Sequence, residues 1–276
     1  MNRPTPTGYH PRMSFSPRRP LRLLALGALV ASAACAKPDY SPLEASTNET
    51  FFQAALKALN GKNWTKASKG FEQLTFQLPA RDPMLPRAYF YLGVAHQNLD
   101  EFILAAQAFS RVPENFPEDT LAPLATFQAA VSYSRLWRRP DLDSDYGVTA
   151  LSTYQSFLAA YPDSPLRDSA QAGIDRLNEM FAQKNLETGD LYAQQRAYDS
   201  SIIYYKDILA KYPQTKVARK AMLGLVKAYK AIGYRDDAAD ICATLRAKYP
   251  KDEAVVKACG PAPVAAAPAA PAPAKP

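Results

Sequence analysis

The side chains that could act as nucleophiles, general bases or metal ligands are few. Two histidines, His10 and His96, and three cysteines, Cys35, Cys242 and Cys259, are all the imidazole and thiol that 276 residues provide. A Ser-His-Asp or Cys-His relay needs a histidine between its other groups, and His10 lies in a segment read below as a removed signal, so such chemistry rests on His96 alone. No Gly-x4-Gly-Lys-Ser/Thr loop, Gly-x-Gly-x-x-Gly turn or paired-cysteine spacing is present to cradle a phosphate or hold a metal. Asp141, Asp143 and Asp145 alternate like half of a calcium loop but lack its central glycine and closing glutamate, which reads as a solvated loop. The expectation is a protein that is not an enzyme and needs no cofactor or metal. An enzyme with a non-obvious site at His96 remains the contrasting reading, and an unchanged phenotype for His96→Ala would remove it.

Composition points to the elements that carry these residues. The chain is 47% hydrophobic, 11% aromatic and 21% charged with only 11 glycines, which favours helices over a glycine-punctuated sheet or a turn-rich sandwich. Of the 24 prolines, seven precede residue 43 and six follow residue 260, so those between can sit at helix boundaries. The net charge of +7 is uneven too. Residues 1–34 hold five arginines and no acid, leaving the remainder near +2, with no electrostatic case for a nucleic-acid partner.

That basic segment reads as an export signal. Arg18, Arg19 and Arg22 precede an uncharged run of 12 residues, Leu23 to Ala34, too short to span a bilayer as a helix. Cys35 follows Ala31-Ser32-Ala33-Ala34, and small residues before a cysteine resemble a bacterial lipoprotein signal, in which the exposed cysteine is acylated. Ser32 departs from the leucine usual there, and ordinary cleavage after Ala33 or Ala34 is the alternative. Acyl chains would hold a domain at a leaflet surface without spanning it. On this reading residues 1–34 are the signal, with Met13 an alternative start, and 35–48 are a lipidated N-terminus and polar tether.

The body repeats itself. An Ala-x3-aromatic-x2-aliphatic pattern recurs and ends at Pro79, Pro117, Pro162, Pro213 and Pro250. Tyr89, Leu92, Gly93, His96, Phe102, Ala105, Phe109, Val112 and Pro117 follow the 34-residue tetratricopeptide pattern closely. The predicted fold is all-α, an α-solenoid of about five tetratricopeptide-like helical hairpins. Small residues such as Gly93 and Ala105 let paired helices approach, and proline stops each second helix. Two places depart from the period. Residues 137–147 form an insertion expected to be a surface loop, and a long helix is expected after Ser164 as N-cap and Pro165, with a break near Gly173 or Gly189 as an alternative. The divisions are 49–162 for three N-terminal units, 163–258 for two C-terminal units with the long leading helix, and 259–276 for an Ala/Pro-rich tail unable to pack a core.

Repeat arrays commonly bind partners on the surface lined by the first helix of each hairpin. The repeat register places Phe52, Arg87, Phe90, Gln97, Asn98, Phe127 and Arg135 there in the first three units, suited to an extended segment with apolar side chains and a free carboxylate. Lys220, Lys227 and Lys230 in the fifth unit suit an acidic partner surface; for all of these a solvated helix face is the alternative. With Cys35 acylated, Cys242 and Cys259 remain as an even pair for an oxidising compartment, either bonded or with Cys242 a small core residue.

The lipidated N-terminus, the five units, Tyr161-Pro162-Asp163-Ser164-Pro165 before a long helix, and the stretches Tyr198 to Pro213 and Ala239 to Pro250 together resemble the BamD family, lipoproteins of the outer-membrane β-barrel assembly machinery. The likeness covers roughly residues 48–250 and lies in the arrangement of units, with no unique motif; the loop at 137–148 and the tail have no counterpart in it. It implies a lipid anchor in the outer membrane facing the periplasm. It further implies an N-terminal half that recognises unfolded outer-membrane protein clients and a C-terminal half that docks on the barrel-forming assembly subunit. A different envelope scaffold of tetratricopeptide type, a cell-division or peptidoglycan-synthesis coordinator resembling CpoB, is the alternative.

Overall fold

The structure, a computed structural model, describes residues 47–260; the signal, Cys35, most of the tether and the tail from 261 lie outside the described residues. Among the described residues the chain forms helices and no strand. Five hairpins follow one another: α1 (Asn48–Asn60) with α2 (Trp64–Gln77), α3 (Leu85–Asn98) with α4 (Phe102–Asn115), α5 (Ala122–Leu136) with α6 (Asp145–Ala160), α7 (Arg167–Gln194) with α8 (Tyr198–Lys211), and α9 (Lys216–Ile232) with α10 (Arg235–Lys248). A short α11 (Glu253–Cys259) closes the array.

Four of the five hairpins turn in the same way. Lys62, Asp100, Arg196 and Gly233 sit two residues before the second helix with φ of 58°, 59°, 60° and 82°. This left-handed residue lets Asn63, Glu101, Ala197 and Tyr234 donate their backbone N–H to the carbonyls of Ala58, His96, Tyr192 and Tyr229, five residues back. Three of the four positions are not glycine and bear a steric cost of about 1 kcal/mol each, so the tertiary pairing of the helices holds these turns closed.

The five prolines read from the sequence do end the second helices. Leu78, Phe116, Tyr161, Tyr212 and Tyr249 each donate a last N–H to the carbonyl four residues back, and each precedes its proline. A residue before proline is pushed out of the helical region, and the next residue has no N–H to donate. The small-residue reading holds as well: a Cβ on Gly93 would lie 2.7 Å from the Phe109 ring, which is fully buried.

The insertion in the third hairpin differs from its expectation. Trp137 was read as part of a surface loop, yet it is 1% exposed, 4.4 Å from Phe181 between ring centroids, with Gly147 on its other side. The turn after α5 folds inward there, and Asp145, Tyr146 and Gly147 already belong to α6, so only residues 138–144 form the loop. Lys184 of α7 donates to the carbonyls of Pro140 and Leu142 at 3.2 and 2.8 Å and fastens that loop.

The long helix is present and unbroken over 28 residues. It begins at Arg167, two residues after Pro165, and Ser164 Oγ accepts the N–H of Leu166 without capping the helix itself. Gly173 and Gly189 do not break it. A Cβ at these positions would come within 2.6 Å of Tyr154 and 2.7 Å of Tyr205, so the glycines admit tyrosine rings from neighbouring helices. Ile174, Leu177 and Phe181 share one apolar cluster with Trp137, Tyr154 and Phe157, while Ala182 and Leu186 join another with Tyr205 and Leu225. Helix α7 thus belongs to the cores on both sides of it.

Candidate functional site

In the N-terminal three hairpins the structure divides the predicted contact residues. Phe52 is fully buried and edge-on to Phe71 at 5.5 Å, and Phe90 is buried edge-on to Phe109 at 5.5 Å, so neither is a surface aromatic. The cause is helical register: Phe52 stands on the inward stripe of α1 with Ala55 and Leu59, and Phe90 packs toward α4 and α5. Phe127 is half-buried and packs edge-on against Tyr154 and Phe157. Arg87, Asn98 and Arg135 are exposed. The Arg87 guanidinium lies 4.7 Å above the Phe52 ring, a cation–π contact, and Asn98 donates to the carbonyl of Val94 in its own helix. Gln97 donates to Gln128 Oε1 and Ser132 Oγ, both at 3.2 Å, and ties α3 to α5. The surface these residues share is polar, with the aromatics beneath it.

His96 stands 2.6 Å from Glu101 through its Nδ1, a contact that bridges the turn from α3 to α4. Asp141 pairs with Arg139 at 2.7 Å, and Asp143 accepts the N–H of Asp145 at 2.9 Å, the start of α6. Each of these groups has a local structural partner.

The C-terminal hairpins build a groove of about 610 Å³ between α7 and α9 over α8. Its floor is Tyr205, made possible by two glycines: a Cβ on Gly189 or Gly224 would sit 2.7 Å from the ring. The phenol donates to Asp190 Oδ1 at 2.6 Å. Lys220 and Lys227 line the α9 wall, while Asp190 and Gln194 line the α7 wall. Lys230 is not available with them, because its ammonium donates to the Ala258 carbonyl and helps hold α11. The pairing of Tyr205 with Asp190, 15 residues earlier, has no local signature in the sequence, though a glycine inside each flanking helix is a usable sign of close approach.

Burial first, and then the hydrogen bond and charge of Asp190, favour the neutral phenol of Tyr205 and raise its pKa well above the ordinary 10. An unfolded chain gives up that proton near pH 10 while the native chain keeps it, so the native state binds more protons and stability falls as pH rises beyond about 10. Below that pH both states are neutral and the contribution is complete. Tyr205→Phe is therefore expected to flatten the alkaline loss seen in urea midpoints between about pH 9 and 11. Burial also raises Tyr154 and Tyr212, so part of the slope should remain. An unchanged slope in Tyr205→Phe would contradict this account.

At the other end of the C-terminal half, Cys242 is joined to Cys259, with Cα atoms 5.5 Å apart. The link fixes α11 to α10. Arg219 pairs with Asp252, and Arg246 donates to the carbonyls of Cys259 and Gly260. Val255 of α11 is buried against Met222, Val226 and Leu245.

The described residues thus present faces and grooves on stacked helical hairpins, the build of a scaffold of tetratricopeptide type. The chain belongs to the YfiO family, described as outer membrane lipoprotein, whose model matches residues 44–245. It is 24% identical over 249 residues to the outer membrane protein assembly factor BamD of Caulobacter vibrioides, covering 88% of this chain and 81% of that one. It is also 22% identical over 233 residues to the BamD of Rickettsia prowazekii, covering 84% and 91%. Among solved structures it is similar to the P58(IPK) TPR domain, at 13% identity and a TM-score of 0.42, covering 77% of this chain and 54% of that one.

Proposed function

We propose that this protein is a non-enzymatic lipoprotein subunit of the outer-membrane β-barrel assembly machinery, held through an acylated Cys35 on the periplasmic face of the outer membrane. Residues 49–162 receive unfolded outer-membrane protein clients, and residues 163–258 dock on the barrel-forming subunit. The observation that carries the reading is the span of the family match, 44–245, which runs from α1 into α10 and so includes all five hairpins. Two features agree with it. Among the described residues no helix is long and apolar enough to cross a membrane, which agrees with attachment through an acylated Cys35. Arg87, Asn98 and Arg135 are exposed and give the N-terminal hairpins polar donors suited to backbone carbonyls and a terminal carboxylate.

Affinity purification from crosslinked native envelopes, with the copurifying chains identified by mass spectrometry, tests the reading. An outer-membrane barrel protein with periplasmic repeat domains is expected, and Cys35→Ser should shift the protein to the soluble fraction. Recovery of peptidoglycan synthases or division proteins alone would replace the reading by that of a different envelope scaffold.

A further inference from the structure

The groove between α7 and α9 carries an inference about partner chemistry that rests on the scaffold reading above and deepens it. We propose that it seats an extended acidic polypeptide segment of a partner protein, in polyproline II conformation, with carboxylates three residues apart pairing Lys220 and Lys227.

Lys220 and Lys227 line one wall, are exposed, and among the described residues have no carboxylate partner. Three neighbouring cations of this half are engaged: Arg219 with Asp252, Lys211 with Asp207, and Lys230 with the Ala258 carbonyl. Seven helical residues separate the two lysines, roughly 10 Å along α9. A polyproline II segment repeats its side-chain direction every third residue, at about 9 Å, so carboxylates at that spacing meet both ammonium groups.

The opposite wall distinguishes a polypeptide from a uniform polyanion. Asp190 is held in place by the Tyr205 phenol and puts negative charge along the α7 side. A chain of phosphates or an anionic lipid surface would meet that carboxylate as well as the lysines. A polypeptide can direct its carboxylates toward α9 and its neutral backbone toward Asp190 and Gln194, and such a backbone keeps its polar groups free to bond them. The floor suits the same ligand: Tyr198 is half-buried, Tyr205 is buried, and both line the groove, as aromatic rings do where proline-rich segments dock. The volume of about 610 Å³ lies within the range of ligand grooves.

The full chain in detergent is titrated against fluorescein-labelled (Glu-Pro-Pro)4 and (Gln-Pro-Pro)4 by fluorescence anisotropy. The acidic peptide should bind at least tenfold more tightly than the amide peptide. Lys220→Glu with Lys227→Glu should lose at least tenfold, and the milder Lys220→Ala with Lys227→Ala should lose in the same direction with its circular dichroism unchanged. Lys248→Glu with Lys251→Glu, an equal charge change on exposed residues outside the groove, should stay within twofold. The proposal is overturned if neither peptide binds, if both bind equally, if the off-groove control loses as much, or if inorganic polyphosphate competes as well as the peptide at equal charge. Copurification of assembly subunits is scored separately, so failure of the groove and failure of the scaffold reading are distinguishable.

Discussion

Substituting alanine for Trp137 is expected to cost about 3–5 kcal/mol of unfolding free energy, the range for emptying a buried aromatic site. For an array of this size that is a fall in Tm of roughly 6–20 °C. The indole packs 4.4 Å from Phe181 of α7 between ring centroids and fills the space beside Gly147 at the start of α6, where a Cβ would come within 2.1 Å of the ring. Its Nε1 is buried without an acceptor among the described residues. Trp137→Phe should therefore cost less than its lost volume suggests, since it also removes an unmade hydrogen bond. Urea denaturation followed at 222 nm measures both variants. A loss under about 1 kcal/mol in Trp137→Ala would mean that the ring does not organise the insertion, against the cavity arithmetic.

The second large effect belongs to the Cys242–Cys259 link. Closing a loop across a sequence separation of 17 constrains the unfolded chain, and opening it is expected to cost about 3 kcal/mol on the chain-entropy account. The loss should be concentrated in α11, because a helix of seven residues has no stability of its own. Cys242→Ser with Cys259→Ser should lower the thermal midpoint and raise amide exchange over 253–259, uncovering Met222, Val226 and Leu245 where Val255 packs on them. Dithiothreitol should reproduce this in the natural chain and leave the double variant unaltered. If reductant moves neither exchange nor midpoint, α11 is held by Arg219, Lys230 and Arg246 without the link.

Much of the array was legible because the repeat places strong local signals at fixed positions. Pro79, Pro117, Pro162, Pro213 and Pro250 stop helices through a missing donor, which needs no knowledge of the tertiary fold. The left-handed turns were not legible, because Lys62, Asp100 and Arg196 carry no glycine to mark them. Face assignments were the weak step. One residue along a helix rotates a side chain by about 100°, and α1 offers adjacent phenylalanines at 51 and 52, so a register count put Phe52 at the surface when packing put it inside. Trp137 was misread for a related reason: the polar, proline-containing sequence after it suggested solvent, while its own burial depends on Phe181, 44 residues away. In the groove, the lysines were visible as charges, but Lys230 was separated from the others only by a carbonyl in α11.

Helix α7 also has a mechanical consequence. Its 28 residues make a rod of about 42 Å, clamped near one end by Tyr154 seated on Gly173 and near the other by Tyr205 seated on Gly189. It contains no proline and no interruption that could absorb a bend. The rod carries displacement along its length: a tilt of about 5° about Gly173 moves the far end, about 32 Å away, by roughly 3 Å. Any repacking around Tyr154 that tilted α7 would therefore shift the α7 wall of the groove over Tyr205.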